Sequence, residues 1–375
     1  MKFTNIRLGD YIKRSTLNNK DLNYGIDLIA GVNNQGLFMT PKGNTDGVDL
    51  KPYKIVNNGA FVYNPTRLEL GSIAYRTEGL CIVSHLYMVF YLTEEGKKII
   101  DPLWLYIYFR RSEFCREVTF RNFGSQRPEF NFNDMSDIVI PLPDINIQQK
   151  YVDIYKAMVE NQQTYERGLD DLKLVCDAYI EDLKRKIPCE EIGPYIERHD
   201  IRNGKNGTKN VMGISTSKVF RIPTSKVNRN ELENYKVVKP RQFGFVQTTH
   251  NEKVFAYALN DTNDDIVISS VYEVFSTNEE KIIPEYLSMF FNRTEFDRYA
   301  RFHSWGSARE TFTWDDLIRV KIPIPDTKIQ QSIVNIYNVY NKRKEINEKL
   351  KAQIKEICPI LIKGSIEEAK RTVEV

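Results

Sequence analysis

Residues 140–155 read IPLPDINIQQKYVDIY, and residues 322–337 read IPIPDTKIQQSIVNIY. Pro141, Pro143, Asp144, Gln148, Gln149, Ile154 and Tyr155 recur as Pro323, Pro325, Asp326, Gln330, Gln331, Ile336 and Tyr337, all 182 positions on. The offset holds far outside the phrase. Gly31 maps to Gly213, Tyr53-Lys54 to Tyr235-Lys236, Phe61 to Phe243, Pro102 to Pro284, Glu113-Phe114 to Glu295-Phe296, Gly124-Ser125 to Gly306-Ser307, Arg127 to Arg309 and Cys176 to Cys358. A repeat this long is a duplicated domain, well beyond the solenoid period of about 20 to 50 residues. Each half is large enough to enclose its own core.

The phrase also marks a change of pattern. Its prolines disfavour helix in the residues before them, and Asp144 is placed to cap a helix that starts just after it. From there Ile147, Tyr151, Ile154, Met158, Tyr165, Leu169, Leu172, Cys176, Tyr179 and Leu183 alternate at spacings of four and three, broken by a polar Asn161. The second copy answers with Ile329, Ile333, Ile336, Tyr340, Leu350, Ile354, Ile357 and Leu361, with Arg343 and Asn347 as its polar positions. Such a seam needs a partner helix, and a lone polar residue in it fixes register. A helix of roughly 38 residues is about 57 Å long, too long to pack on one domain alone. Two pairings fit: the two copies antiparallel within one chain, or a stalk that joins two chains.

Ahead of each phrase, short runs such as GAFVYN (59–64), GSIAYR (71–76) and CIVSHLYMVFYL (81–92) are rich in β-branched and aromatic residues and punctuated by Gly. DDIVISSVYEVF (264–275) answers the last of these. Pro102 and Pro284 suit the first turn of a helix. The expectation is a mixed α/β (α+β) fold in five parts: 1–146, a helix over 147–186, 187–328, a helix over 329–368 and a tail over 369–375.

The net charge of the 375 residues is only +3, which excludes a histone-like binder and leaves room for local basic patches. No apolar run approaches membrane-span length, and the N-terminus lacks the pattern of a secretory signal, so a cytoplasmic protein without a membrane is expected. The five cysteines lie far apart without a C-x-x-C, and the four histidines, His85, His199, His250 and His303, are scattered. Neither a metal site nor a disulfide framework is indicated. Asn64-Pro65-Thr66-Arg67 lacks the second proline and the aromatic of an adenine methyltransferase motif, and no Gly-rich nucleotide loop follows a strand. The chain is expected not to be an enzyme.

The duplicated I-P-[LI]-P-D-x-x-I-Q-Q, preceded in both copies by G-S-x-R-x-x-F-x-[FW]-x-D-[ML], resembles the specificity subunit of type I restriction-modification systems. The polar openings DIRNGKNGTKNVMGIS (200–215) and YKIVNNGAFVYNP (53–65) are similar to target recognition domains of that family. The resemblance covers nearly the whole chain. It implies two target recognition domains joined by two long antiparallel coiled-coil helices with an internal pseudo-twofold, each domain reading half of an interrupted double-stranded DNA site. The helices would set the spacing and dock two methyltransferase subunits, with restriction subunits joining through the complex. S-adenosylmethionine, ATP and Mg would sit on those partners, with no cofactor in this chain. A coiled-coil adaptor whose two domains bind protein stands as the alternative.

DNA recognition needs cations and amides for phosphates, and Arg, Lys, Asn or Gln for base edges. In the repeated Gly-Ser-x-Arg, Ser125 with Arg127 and Ser307 with Arg309 fit a phosphate clamp, or equally a turn whose Arg pairs with a carboxylate. Candidates for base reading are Asn18, Asn19, Lys20, Asn64, Arg67, Tyr75 and Arg76 in the first domain. In the second they are Arg202, Asn203, Lys205, Asn206, Lys209, Gln247, Thr248, His250 and Asn251. The residues expected to pair the helices are Ile147, Tyr151, Ile154, Leu169, Leu172, Cys176, Ile329, Ile333, Ile336, Leu350, Ile354 and Leu361.

Overall fold

A computed structural model describes residues 4–41, 43, 45, 47–122, 129–205, 207–223, 227, 229–248, 254–305 and 310–372. The chain divides into two compact units, Met1–Tyr165 with Ile346–Val375, and Glu166–Glu345.

In the first unit four antiparallel strands form a sheet in the order Ile12–Arg14, Met88–Leu92, Phe61–Tyr63, Ile73–Tyr75. Alternation along Phe61–Tyr63 decides its two faces. Phe61 and Tyr63 point into the larger core with Phe90, Trp104 and Phe109, while Val62 joins Ala74, Val89, Val56 and Val83 on the other side. Phe61 lies opposite Phe90 in the register and stacks on it at 5.0 Å. The smaller core is roofed by two two-stranded ladders, Lys54–Val56 with Cys81–Val83 and Gly31–Val32 with Phe38–Met39. The run 81–92, continuous in the sequence, breaks into two strands because a turn intervenes, with Tyr87 N–H donating to Ser84 O at 3.0 Å. Helix Pro102–Phe109 packs on the larger core; Asp101 caps it, accepting from the amides of Leu103 and Trp104.

The second unit repeats this plan. Its sheet runs Ile196–His199, Glu273–Thr277, Phe243–Phe245, Tyr257–Leu259. Phe243 stacks on Phe275 at 4.7 Å, where Phe61 stacks on Phe90 in the first unit. Cross-strand aromatic pairs of this kind lock register as well as burying area.

The phrase at 140–155 and its copy at 322–337 each close a domain and open a helix. Val139–Leu142 pairs with Thr4–Arg7, and Lys321–Pro323 with Cys189–Glu191, before helices Ile145–Lys186 and Thr327–Arg371 begin. Asp144 accepts from the Asn146 amide at 3.0 Å, and that hydrogen bond first of all holds its carboxyl below the usual range. Asp326 accepts from the amides of Lys328 and Ile329.

The first glutamine of each pair is a buried bracket. Gln148 accepts from Asp101 N–H at 2.8 Å and donates to Ile99 O and Pro143 O at 2.8 and 2.7 Å. Gln330 does the same, accepting from Ile283 N–H at 2.9 Å and donating to Lys281 O and Pro325 O at 2.6 and 2.8 Å. Three backbone groups that a helix start and a neighbouring turn would leave unpaired are satisfied at once. Gln149 and Gln331, by contrast, bond along their own helices, to Asp153 and Asn335.

The long helices run antiparallel within each unit. In the first, Lys150 meets Glu368 at 2.8 Å and the buried Gln162 donates to Asn347 at 2.9 Å. In the second, Gly168 lies under Arg343. Each domain core takes residues from both helices: Val152 with Cys358, Leu361 and Ile362 in the first unit, and Ile180 and Leu183 with Ile333 and Val334 in the second.

Of the expected seam, Cys176, Ile333 and Leu361 are buried, and Ile147, Tyr151, Leu169, Leu172, Ile329, Ile336, Leu350 and Ile354 are half-buried. Ile154 departs from it at 44% exposed, with Val152 buried in its place. Asn161 likewise faces outward and Gln162 is the buried polar residue. The reason is packing: where a helix lies against its domain as well as the other helix, its buried stripe turns away from a strict four-and-three seam.

Candidate nucleic-acid interface

Several expected base readers hold the fold together. Asn19 is buried and its amide bonds Tyr24 in both directions, donating to the carbonyl and accepting from N–H. Tyr75 tucks against Phe61, with 4.8 Å between ring centres. Arg76 lies over the Phe38 ring and donates to Leu80 O. Asn64 accepts from the amide and the hydroxyl of Thr66, which closes a turn. All four side chains thus make contacts within their own domain.

In the second unit Arg202 bonds Asn234 O and Asp200, Asn203 donates to Thr208 O, and Gln247 donates to Glu273 at 2.6 Å. Thr248 sits in a β-bridge with Thr311. Lys20, Arg67, Lys205 and Lys209 are exposed, and Asn18 is half-buried beside the Lys54 backbone. Ser125, Arg127, Asn206, His250, Asn251, Ser307 and Arg309 lie outside the described residues.

Most arginines of the helices before the Gly-Ser segments are paired. Arg110 donates to Gly71 O and Asn34 O, which pins the Gly31–Met39 hairpin; Arg121 meets Glu117, and Arg293 meets Asp177 and Glu181. Two side chains that the sequence reading passed over are prominent there. Phe120 and Phe302, 182 positions apart, are 82% and 80% exposed at the ends of equivalent helices.

The structure adds a cleft in the first unit of about 590 Å³, lined by Asn33, Asn34, Gln35 and Ser84 with Tyr53, Tyr87 and Arg67. It forms because Asn33 accepts from the amides of Gln35 and Leu37, and Gly36 adopts φ +76°, which turns the hairpin tightly. The same place in the second unit holds only about 160 Å³, with Arg221 and Tyr272 in its wall. Polar side chains on a hairpin beside an exposed arginine are equipped to meet base edges and phosphates. The NNQG turn was the available sequence signal.

The second unit also carries a buried ion cluster. Glu273 accepts from Arg198 at 2.9 and 2.7 Å, from Lys236 at 3.2 Å and from Gln247 at 2.6 Å. Burial pushes its carboxyl up, but the hydrogen bonds from Arg198 and Lys236 hold it below the ordinary value. No group of His, Cys, Asp and Glu suited to a metal occurs among the described residues, and no helix among them is long and apolar enough to cross a membrane.

Comparisons with known proteins complete the picture. The profile of the type I restriction modification DNA specificity domain matches the chain twice, over residues 3–172 and 194–356. The type I restriction-modification S subunit from M. genitalium shares the fold with a TM-score of 0.60 at 10% identity, covering 98% of this chain and 96% of that one. The HsdS subunit from Thermoanaerobacter tengcongensis aligns at 15% identity and a TM-score of 0.40, over 97% and 96% of the two chains. No curated protein matches. Two specificity domains, each ending in a long helix, account for nearly the whole sequence, and the chain belongs to the type I restriction-modification DNA specificity family as a DNA sequence-recognition subunit.

Proposed function

We propose that each domain reads one half of a bipartite DNA site, and that the paired helices set the distance between the halves and dock methyltransferase subunits, two per chain. The duplication carries this reading: one domain plan occurs twice with different side chains at its clefts, Asn33, Asn34 and Gln35 in one and Arg221 in the other. One plan with two linings is what two different half-sites require. The chain would supply no chemistry itself; S-adenosylmethionine, ATP and Mg belong to the methyltransferase and restriction partners. Cytoplasmic placement follows from that role.

Binding of duplex DNA by the complex with its methyltransferase, measured against salt, tests this. Phosphate-dominated recognition weakens steeply as salt rises, by about 0.9 log units of affinity per log unit of salt for each phosphate contacted. Binding indifferent to both salt and sequence would instead favour a protein-binding adaptor.

A further inference from the structure

The two units treat one pair of cations differently. Arg198 pairs with Phe275 across the sheet as Arg14 pairs with Phe90, and Lys236 is bridged to Arg202 as Lys54 is to Asn18. Arg14 and Lys54 therefore stand where Arg198 and Lys236 stand. The acid between them is missing. Glu273 lies opposite Phe245 in the register; its counterpart opposite Tyr63 is Met88.

The surrounding acids are missing too. Asp200, 3.5 Å from Lys236 and two residues after Arg198, is replaced by Thr16, two residues after Arg14. Asp315, which acts on Arg198 from inside a capping box, is replaced by Asn133 in the matching box. Among the described residues no carboxylate pairs with Arg14 or Lys54.

What remains is an open cationic seat. The Lys54 ammonium donates to Tyr87 O, beside Met88, and is only half-buried where Lys236 is 5% exposed. Arg14 is exposed on the adjoining strand. Burial first, and then Arg14, lower the Lys54 pKa. The Tyr63 hydroxyl at the same end of the sheet is buried with no hydrogen-bond partner. The Asp134 carboxylate near it already accepts from Asn131 N–H.

We propose that Arg14 and Lys54 hold a backbone phosphate of the DNA half-site read by the first domain, while Arg198 and Lys236 are neutralised internally by Glu273 and hold none. A phosphodiester and a carboxylate each present one negative charge over two equivalent oxygens, so Glu273 shows how such an anion is held between these two cations. This rests on the DNA-recognition reading above, which also favours phosphate over a carboxylate from a partner protein.

The test uses the complex with its methyltransferase and a duplex carrying the motif it methylates. Arg14→Gln with Lys54→Gln is expected to weaken binding about tenfold at moderate salt and to reduce the salt slope by about 0.9, the value for one phosphate. Met88→Glu, which restores an internal carboxylate, is expected to reduce the slope similarly with the thermal midpoint kept, and Arg198→Gln to leave it unchanged. An unchanged slope in both first-domain variants, with the wild type still binding its motif, overturns the inference alone. Loss of methyltransferase assembly without a slope change also overturns it, in favour of a protein carboxylate. A wild type that shows no salt-dependent, sequence-specific binding overturns the DNA reading itself.

Discussion

Gln162 donates its side-chain amide to Asn347 Oδ1 at 2.9 Å, both side chains buried where the two long helices of the first unit face each other. A buried polar pair between two packed helices is satisfied in one register only. Gln162→Leu or Asn347→Leu alone should cost about 1 to 3 kcal/mol, since each leaves a buried amide without this partner. The double Leu variant should recover most of that loss. Thermal unfolding of the four proteins as a double-mutant cycle checks it, and additive losses would contradict it.

The Gln148 and Gln330 brackets each tie three backbone groups to one side chain. At about 0.5 to 1.5 kcal/mol per hydrogen bond, Gln148→Ala should destabilise the first unit by roughly 2 to 4 kcal/mol, and Gln330→Ala the second by a similar amount. Amide exchange localises the effect: Asp101 N–H should exchange faster in the first variant and Ile283 N–H in the second.

Truncation after Glu345 should damage the first domain although its own sequence is intact. Cys358, Leu361 and Ile362 belong to its core, and Trp104 donates to Ser365 at 3.1 Å. Each fully buried Leu or Ile contributes about 1.5 to 3 kcal/mol. Limited proteolysis should cut within residues 4–142 of the truncated chain first, and equal protection of the two domains would contradict the shared core.

Glu273 should make the second unit sensitive to acid. Its folded pKa is lowered, so its contribution is complete above the ordinary carboxylate value and is lost as pH falls through the lowered one. Glu273→Gln should cost about 2 to 3 kcal/mol at neutral pH, less than for a fully buried pair because Arg198 is half exposed. The variant should also flatten the acid limb of a stability profile. An unchanged limb would show that other carboxylates set it.

Periodicity made the helices legible, and the offset of 182 exposed the duplication, because both depend on which residue types recur. The phase of the seam was less legible. Where a helix touches its domain as well as the other helix, Val152 is buried instead of Ile154, and Ile180 instead of Tyr179. The site was less legible. Asn19, Tyr75 and Arg76 stand in sequence as candidate base readers, and only the fold shows that Asn19 bonds Tyr24, that Tyr75 lies against Phe61 and that Arg76 lies over Phe38. Asn33, Asn34 and Gln35 do not stand out in sequence, since only the fold sets them around a cleft with Arg67.

Single-molecule sequencing for N6-methyladenine, in DNA from a methylation-free host expressing this chain with its methyltransferase, tests two-domain reading most directly. The expected result is a bipartite motif absent with the methyltransferase alone, in which replacing Asn33, Asn34 and Gln35 alters one half only. An assembled complex that produces no new motif, or one whose two halves change together, would contradict it.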